Sequence, residues 1–297
     1  MALTKKNKAA VKVPKWIMYA VKILETLSPV LAAKLAMKLF TTPIRFKLPK
    51  REQTMDNASR QQQVIIKSLG KSINVYRLGS SQRKVLLVHG WSGRGTQLYS
   101  IADKLVQQGF ETISFDAPAH GKSTGKTSDM TEFITAIFQL EKQFGPFDYA
   151  VGHSLGAMAV LNSIKSGLNI KKAVLISSGD IIEDIMLYFT HKLGMKIATG
   201  RLMMQRFEKK FGQTLNSYSA YIAAQDVNIP VLMFHDEEDT DVPVTAAYHI
   251  KENLAHAKLI ITRGLGHRKI LGDKNVIKNL LNFLNDDEQT NDIGTDV

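Results

Sequence analysis

The chain of 297 residues contains no cysteine. That excludes a disulfide framework, a thiol nucleophile and cysteine-ligated zinc. It leaves the compartment open, because cytosolic proteins also do without cysteine. Repeats and low-complexity tracts are missing too. The N-terminal region lacks long uncharged stretches. Its longest, Thr26 to Ala33, falls far short of the ~18 residues a transmembrane helix needs. Lys22 and Glu25 fall where a signal peptide would be apolar. No H-x-x-x-H or comparable ligand pair stands on one helix face, so Asp116, His120 and His89 give no reason to expect a metal. Gly90-Trp91-Ser92-Gly93-Arg94-Gly95 lacks the Gly-Lys-Ser/Thr ending of a phosphate loop. No cofactor is expected.

Negative charge is scarce at one end. Residues 1–60 carry thirteen Lys and Arg against three acids, while the remainder carries twenty-six against twenty-four. Of the net +12, +10 therefore belongs to the first 60 residues. The nearly neutral remainder gives no reason to expect nucleic acid. Residues 1–60 form a basic N-terminal appendage with two apolar stretches, Trp16 to Leu27 and Val30 to Phe40, divided by Ser28-Pro29. Leu31, Leu35 and Leu39 recur four apart, and Lys34 and Lys38 share another face, the pattern of an amphipathic helix. Three readings follow. The helices pack on the body of the protein, or residues 1–48 attach peripherally to an anionic membrane surface, or the segment is a cleaved or poorly ordered leader. The localisation that fits is cytoplasmic, with the inner face of a membrane under the second reading.

What the chain does contain is a run of short Val-, Ile- and Leu-rich segments alternating with helical ones. The helices fall at Thr96 to Gln108, Met130 to Phe144, Leu155 to Lys165, Thr245 to Asn253 and Asp273 to Leu284. Such alternation implies an α/β fold with a mostly parallel sheet and helices on both faces. Val64 to Lys67 and Ile73 to Leu78 read as an antiparallel hairpin, and Lys50 to Gln63 as a polar linker or short helix. Residues 61–285 form the main domain. A helical insertion at 180–224, rich in Met and Phe, reads as a cap, or as ordinary helix packing. The acidic tail, 286–297, reads as frayed.

The most informative residues are Gly152-His153-Ser154-Leu155-Gly156, between the apolar Tyr149-Ala150-Val151 and the helix from Leu155. A serine with glycine two residues away on each side, between strand and helix, is the nucleophile-elbow pattern. Side chains at Gly152 and Gly156 would collide with the neighbouring strand and helix. Other apolar strands end in His89-Gly90-Trp91, in Asp116, in the acidic loop Asp236-Glu237-Glu238-Asp239-Thr240-Asp241, and in Gly264-Leu265-Gly266-His267.

In this combination the chain resembles the α/β-hydrolase superfamily over roughly residues 64 to 285. Asp116 to Ser123 is similar to its D-x-x-G-H-G-x-S segment, with Ala119 in place of the first glycine. The resemblance implies an α/β-hydrolase fold and the chain order nucleophile, acid, histidine. Ser154 is then the nucleophile, His267 the base on a loop after the last strand, and Asp239 the acid, with Asp241 its competitor. Asp236, Glu237 and Glu238 read as solvated loop charges. The backbone N–H groups of Leu155 and Trp91 would form the oxyanion hole. The Trp91 indole would wall an acyl pocket or simply pack. His89, Gly90, Gly152, His153 and Gly156 support the motif, the histidines by orienting loops. His191, His235, His249 and His256 read as surface or structural. The expected function is a serine hydrolase acting on a small-molecule carboxylic ester or thioester with an apolar part, in the manner of a carboxylesterase or lipase. The superfamily also hosts peptidases, C–C hydrolases, haloperoxidases and lyases, and a binder without catalysis is a further alternative. The sequence sets no oligomeric state.

Overall fold

The computed structural model describes residues 14–286. The acidic tail from residue 287 and the first thirteen residues lie outside them. Eight strands form one sheet: β1 (Arg60–Ile66), β2 (Lys71–Leu78), β3 (Lys84–Val88), β4 (Glu111–Phe115), β5 (Tyr149–His153), β6 (Lys172–Ile176), β7 (Val231–Asp236) and β8 (Ala257–Thr262). Their order is β1-β2-β4-β3-β5-β6-β7-β8. The β1/β2 and β2/β4 pairs are antiparallel and the others parallel. Twelve α-helices are assigned among the described residues: α1 (Lys15–Leu27), α2 (Pro29–Phe40), α3 (Gln53–Ala58), α4 (Tyr99–Gln107), α5 (Met130–Phe144), α6 (Leu155–Lys165), α7 (Ile182–Lys192), α8 (Ile197–Phe211), α9 (Ala220–Ala224), α10 (Thr245–Glu252), α11 (Gly266–Lys269) and α12 (Lys274–Asn285).

The parallel strands are continuous apolar runs because both faces are covered. Successive side chains on a strand point to opposite faces, and the two cores show that alternation. Leu86, Val88, Ala150, Leu175 and Met233 join α5, α6 and α8 in one cluster. Val85, Leu87, Val151, Val174 and Phe234 join α4 and α12 in the other. Helix starts follow local chemistry. Asp129 accepts from Glu132 N–H to cap α5, and Asp273 accepts from Asn275 and Val276 N–H to cap α12.

α1 and α2 pack on the body. Ala32, Ala33 and Ala36 let α2 approach α8 closely, and Phe40 meets the rings of Phe189 and Phe207 edge-on at 5.1 and 5.9 Å. The buried Glu25 carboxylate accepts from Lys196 N–H at 2.8 Å, just ahead of α8, where the positive end of the helix favours an anion. From α2 the chain runs on as a strap. Ile44 N–H donates to Ser92 Oγ at 3.0 Å, and the Arg45 guanidinium donates to the carbonyls of Ala119, Ser123 and Gly125. Nothing in the local pattern around Arg45 signals these contacts, which lie 74 to 80 residues along the chain. No helix among the described residues is long and apolar enough to cross a membrane.

Candidate active site

The order of strands reverses around β3, which pairs with β4 on one side and β5 on the other. In open α/β sheets, ligands bind at the carboxyl ends of strands beside such a switch point. His89-Gly90-Trp91 leaves β3 there and Ser154 leaves β5.

Ser154 has φ 54° and ψ −122°, a backbone conformation that side chains other than glycine's rarely take. Such a residue costs about 1–3 kcal/mol and persists only where its surroundings enforce it. Here the enforcement is steric. A Cβ on Gly152 would lie 2.5 Å from Ala157 Cα of α6, and one on Gly156 would lie 2.3 Å from the Val88 carbonyl oxygen of β3. Both distances are below contact, so strand and helix can meet only through glycine. The turn leaves Ser154 half-buried at the start of α6. Among the described residues, neither the Leu155 nor the Trp91 backbone N–H has a hydrogen-bond acceptor. Both are free to bind an anion.

His267 Nδ1–H donates to Asp239 Oδ2 at 2.7 Å. That fixes the tautomer and leaves Nε2 with its lone pair. The ring sits in the single turn α11, rather than in the loop the sequence suggests. Asp239 Oδ1 accepts from Asp241 and Val242 N–H at 2.8 and 2.9 Å. Burial pushes the Asp239 carboxyl up, but the His267 contact and these two N–H groups outweigh it and hold the group below the ordinary range. Asp241 faces Arg268 at 3.4 Å and does not meet His267. His153 Nε2–H donates to the His267 carbonyl at 2.8 Å, and the two rings lie 4.7 Å apart. The residue before Ser154 thus ties down the turn that carries His267.

One side chain departs from its sequence reading. Asp236 is fully buried, not solvated, and accepts from Glu238 N–H, Thr262 Oγ1–H and Leu265 N–H, so it anchors the approach to His267. His235 is also buried, with Nε2–H donating to the Val242 carbonyl at 3.0 Å and lying 3.6 Å from Asp239 Oδ2. Its position at the end of β7, four residues before Asp239, was the one available signal. His249 pairs with Asp180 at 2.6 Å, well apart in sequence from the elbow.

The loop after β3 is fixed from behind. His89 Nδ1–H donates to the Gly90 carbonyl at 2.7 Å, and Nε2 accepts from Ala117 N–H at 3.0 Å. Trp91 stands edge-on to His120, with ring centroids 5.0 Å apart. Asp116 accepts from Gly95 N–H, Lys122 N–H and Tyr76 OH, and so organises the same loops. Burial raises its carboxyl above the ordinary range. Among the described residues no group of His, Asp and Glu could hold a metal ion.

A family model for the alpha/beta hydrolase family matches residues 85–272, more than half of the chain. The chain belongs to the alpha/beta hydrolase family. A search of curated proteins finds no match. Among solved structures, the chain is similar to Est1E from Butyrivibrio proteoclasticus with ferulic acid bound, at 18% identity and TM-score 0.60, covering 74% of this chain and 98% of that one. It is similar to an esterase from Exiguobacterium antarcticum, at 17% identity and TM-score 0.57, covering 72% and 96%. A bromoperoxidase from Bacillus anthracis is as similar, at 16% identity and TM-score 0.60, covering 77% and 100%. Likeness at this level establishes the alpha/beta hydrolase fold and does not select a reaction.

Burial of three histidines predicts that this member of the family loses stability in mild acid. It pushes His89 well below the ordinary histidine value, His120 down to about 4 and His153 down to about 3. An unfolded chain takes up these protons near pH 6.5 and the folded one does not, so stability falls as pH drops below that value. His120 and His153 should then each contribute a loss of about 2 kcal/mol between about pH 7.5 and pH 5, with His89 acting in the same direction. Asp116 and Asp180, raised by burial, act in the opposite sense at the lower end. Urea unfolding at the two pH values should show a net loss of several kcal/mol, and equal midpoints would contradict the neutral, buried state of these rings.

Proposed function

We propose that the protein is a serine hydrolase that cleaves a carboxylic ester or thioester through an acyl-enzyme. The observation that carries this reading is the Asp239–His267 pair at 2.7 Å, tied through His153 to the turn that presents Ser154. A serine hydroxyl is a poor nucleophile near neutral pH unless a base takes its proton during attack. His267 Nε2 is that base. Ser154 Oγ attacks the carbonyl carbon, and the C=O electron pair moves onto oxygen. The Leu155 and Trp91 N–H groups hold the resulting oxyanion, each such donor typically supplying about 3 kcal/mol to the barrier reduction. Collapse of this intermediate expels the alcohol or thiol, which takes the proton from His267. Water then attacks the acyl-serine with His267 again as base, and the acid leaves. Asp239 stabilises the imidazolium at both stages.

The substrate's apolar part finds support in the half-buried Trp91 and Leu155 on either side of the switch point. The Met and Phe side chains of the insertion contribute less to this than the composition suggests. Met186, Met203 and Phe207 are buried in the core cluster, so helix packing accounts for them. The insertion's role as a cap rests on its place between β6 and β7.

A fluorophosphonate probe tests the reading. Wild type should be labelled and Ser154→Ala should not. Absence of labelling in folded wild type would remove the serine-nucleophile reading. On p-nitrophenyl esters, kcat/KM should rise with acyl length, and a flat response would remove the apolar part.

A further inference from the structure

We propose that the outer face of α1 and α2 docks this protein on a bilayer bearing anionic lipids. Among the described residues, α1 is packed on one side only. Ile17, Val21 and Leu24 face the protein, and Glu25 is held against Lys196 N–H. The other side carries Trp16, Tyr19, Ile23 and Leu27, spaced three, four and four residues apart and 71, 66, 62 and 78% exposed. That spacing lays them in one stripe along the helix. Exposed apolar side chains scattered singly need no explanation, but these are concentrated. Of the twelve large apolar side chains left exposed among the described residues, eight fall between Trp16 and Phe46.

Charge selects the partner. Lys15 and Lys22 share an edge of the stripe by helical spacing, and Lys34 and Lys38 stand exposed on α2 beside Val30 and Leu31. Between residues 14 and 49 there is a single acid, Glu25, and it is buried. A groove of about 440 Å³ between α2 and α8 continues the pattern, with Arg206 and Lys209 beside Val30, Met37 and Leu202. An apolar stripe with tryptophan and tyrosine, edged by lysine and free of exposed acid, matches the boundary between acyl chains and anionic headgroups. A second copy fits this face less well, since two-fold pairing would bring the same cationic surface against itself. At 13 residues α1 is too short to cross a bilayer and would lie in its plane.

The test uses the full chain and does not depend on the hydrolytic reading. Vesicles of phosphatidylcholine mixed with phosphatidylglycerol should sediment the protein, and vesicles of phosphatidylcholine alone should do so at least about tenfold more weakly. The variant Trp16→Ser/Tyr19→Ser/Ile23→Ser should lose at least about tenfold in binding to the mixed vesicles. Its changes are at exposed positions, so circular dichroism and thermal unfolding should stay at wild-type values. All lysines, including those of residues 1–13, remain in this variant. Undiminished binding by it would overturn the proposal by assigning attraction to charge alone. No wild-type binding to the mixed vesicles would overturn it, and so would a solution dimer that the same variant dissociates.

Discussion

Replacing His267 with alanine is expected to lower kcat on a simple activated ester by about 10⁶-fold. The size follows from what the ring does in the proposed reaction. Its Nδ1–H is committed to Asp239 at 2.7 Å, so the other nitrogen carries the lone pair that receives the serine proton. Without that acceptor Ser154 attacks as a neutral alcohol. The local structure should survive the change. His153 is held by the backbone carbonyl of residue 267, which alanine keeps, and the turn is anchored by Asp236 through Leu265 N–H and Thr262. Because base and nucleophile act as one unit, Ser154→Ala/His267→Ala should be no slower than either single variant. Steady-state kinetics beside thermal unfolding make the check. A loss below about tenfold in a folded His267→Ala would take this ring out of the chemistry.

The centre of the molecule was legible because chemistry and sterics there are local. α5 and α6 begin and end where the apolar pattern does, at Met130–Phe144 and Leu155–Lys165. The glycines of the elbow forbid any other residue, so their spacing alone exposes the turn. The edges were less legible. β1 starts at Arg60, not Val64, because Arg60 to Gln63 lie on an exposed edge strand and carry no apolar signal. The short helix α3 precedes it, within what read as a polar linker or short helix. Long-range polar contacts left no trace in the pattern. Asp236 reads as one charge among several in an acidic loop, and only the fold brings Thr262 and Leu265 to it. The strap is similar. Arg45 and Ile44 brace the loops that follow β3 and β4 from far upstream, and no periodicity announces such a contact.

The same contrast separates the two candidate acids. Asp239→Asn is expected to lower kcat by about 10⁴-fold with little change in stability. An asparagine keeps an oxygen to accept from Asp241 and Val242 N–H, so the loop holds its shape. Its amide, however, can turn an N–H toward His267 Nδ1. That favours the tautomer protonated at Nε2, which cannot accept the serine proton. His235 gives no rescue, because its Nε2–H is already donated to the Val242 carbonyl. Asp241→Asn should differ sharply. Its carboxylate faces Arg268 at 3.4 Å, with a quarter of the side chain exposed, and such pairs contribute little. Activity should stay within about threefold of wild type. Parallel kcat measurements on the two variants decide the matter. A larger loss in Asp241→Asn than in Asp239→Asn would mean that the acidic loop rearranges during turnover and that the 2.7 Å contact belongs to a resting state.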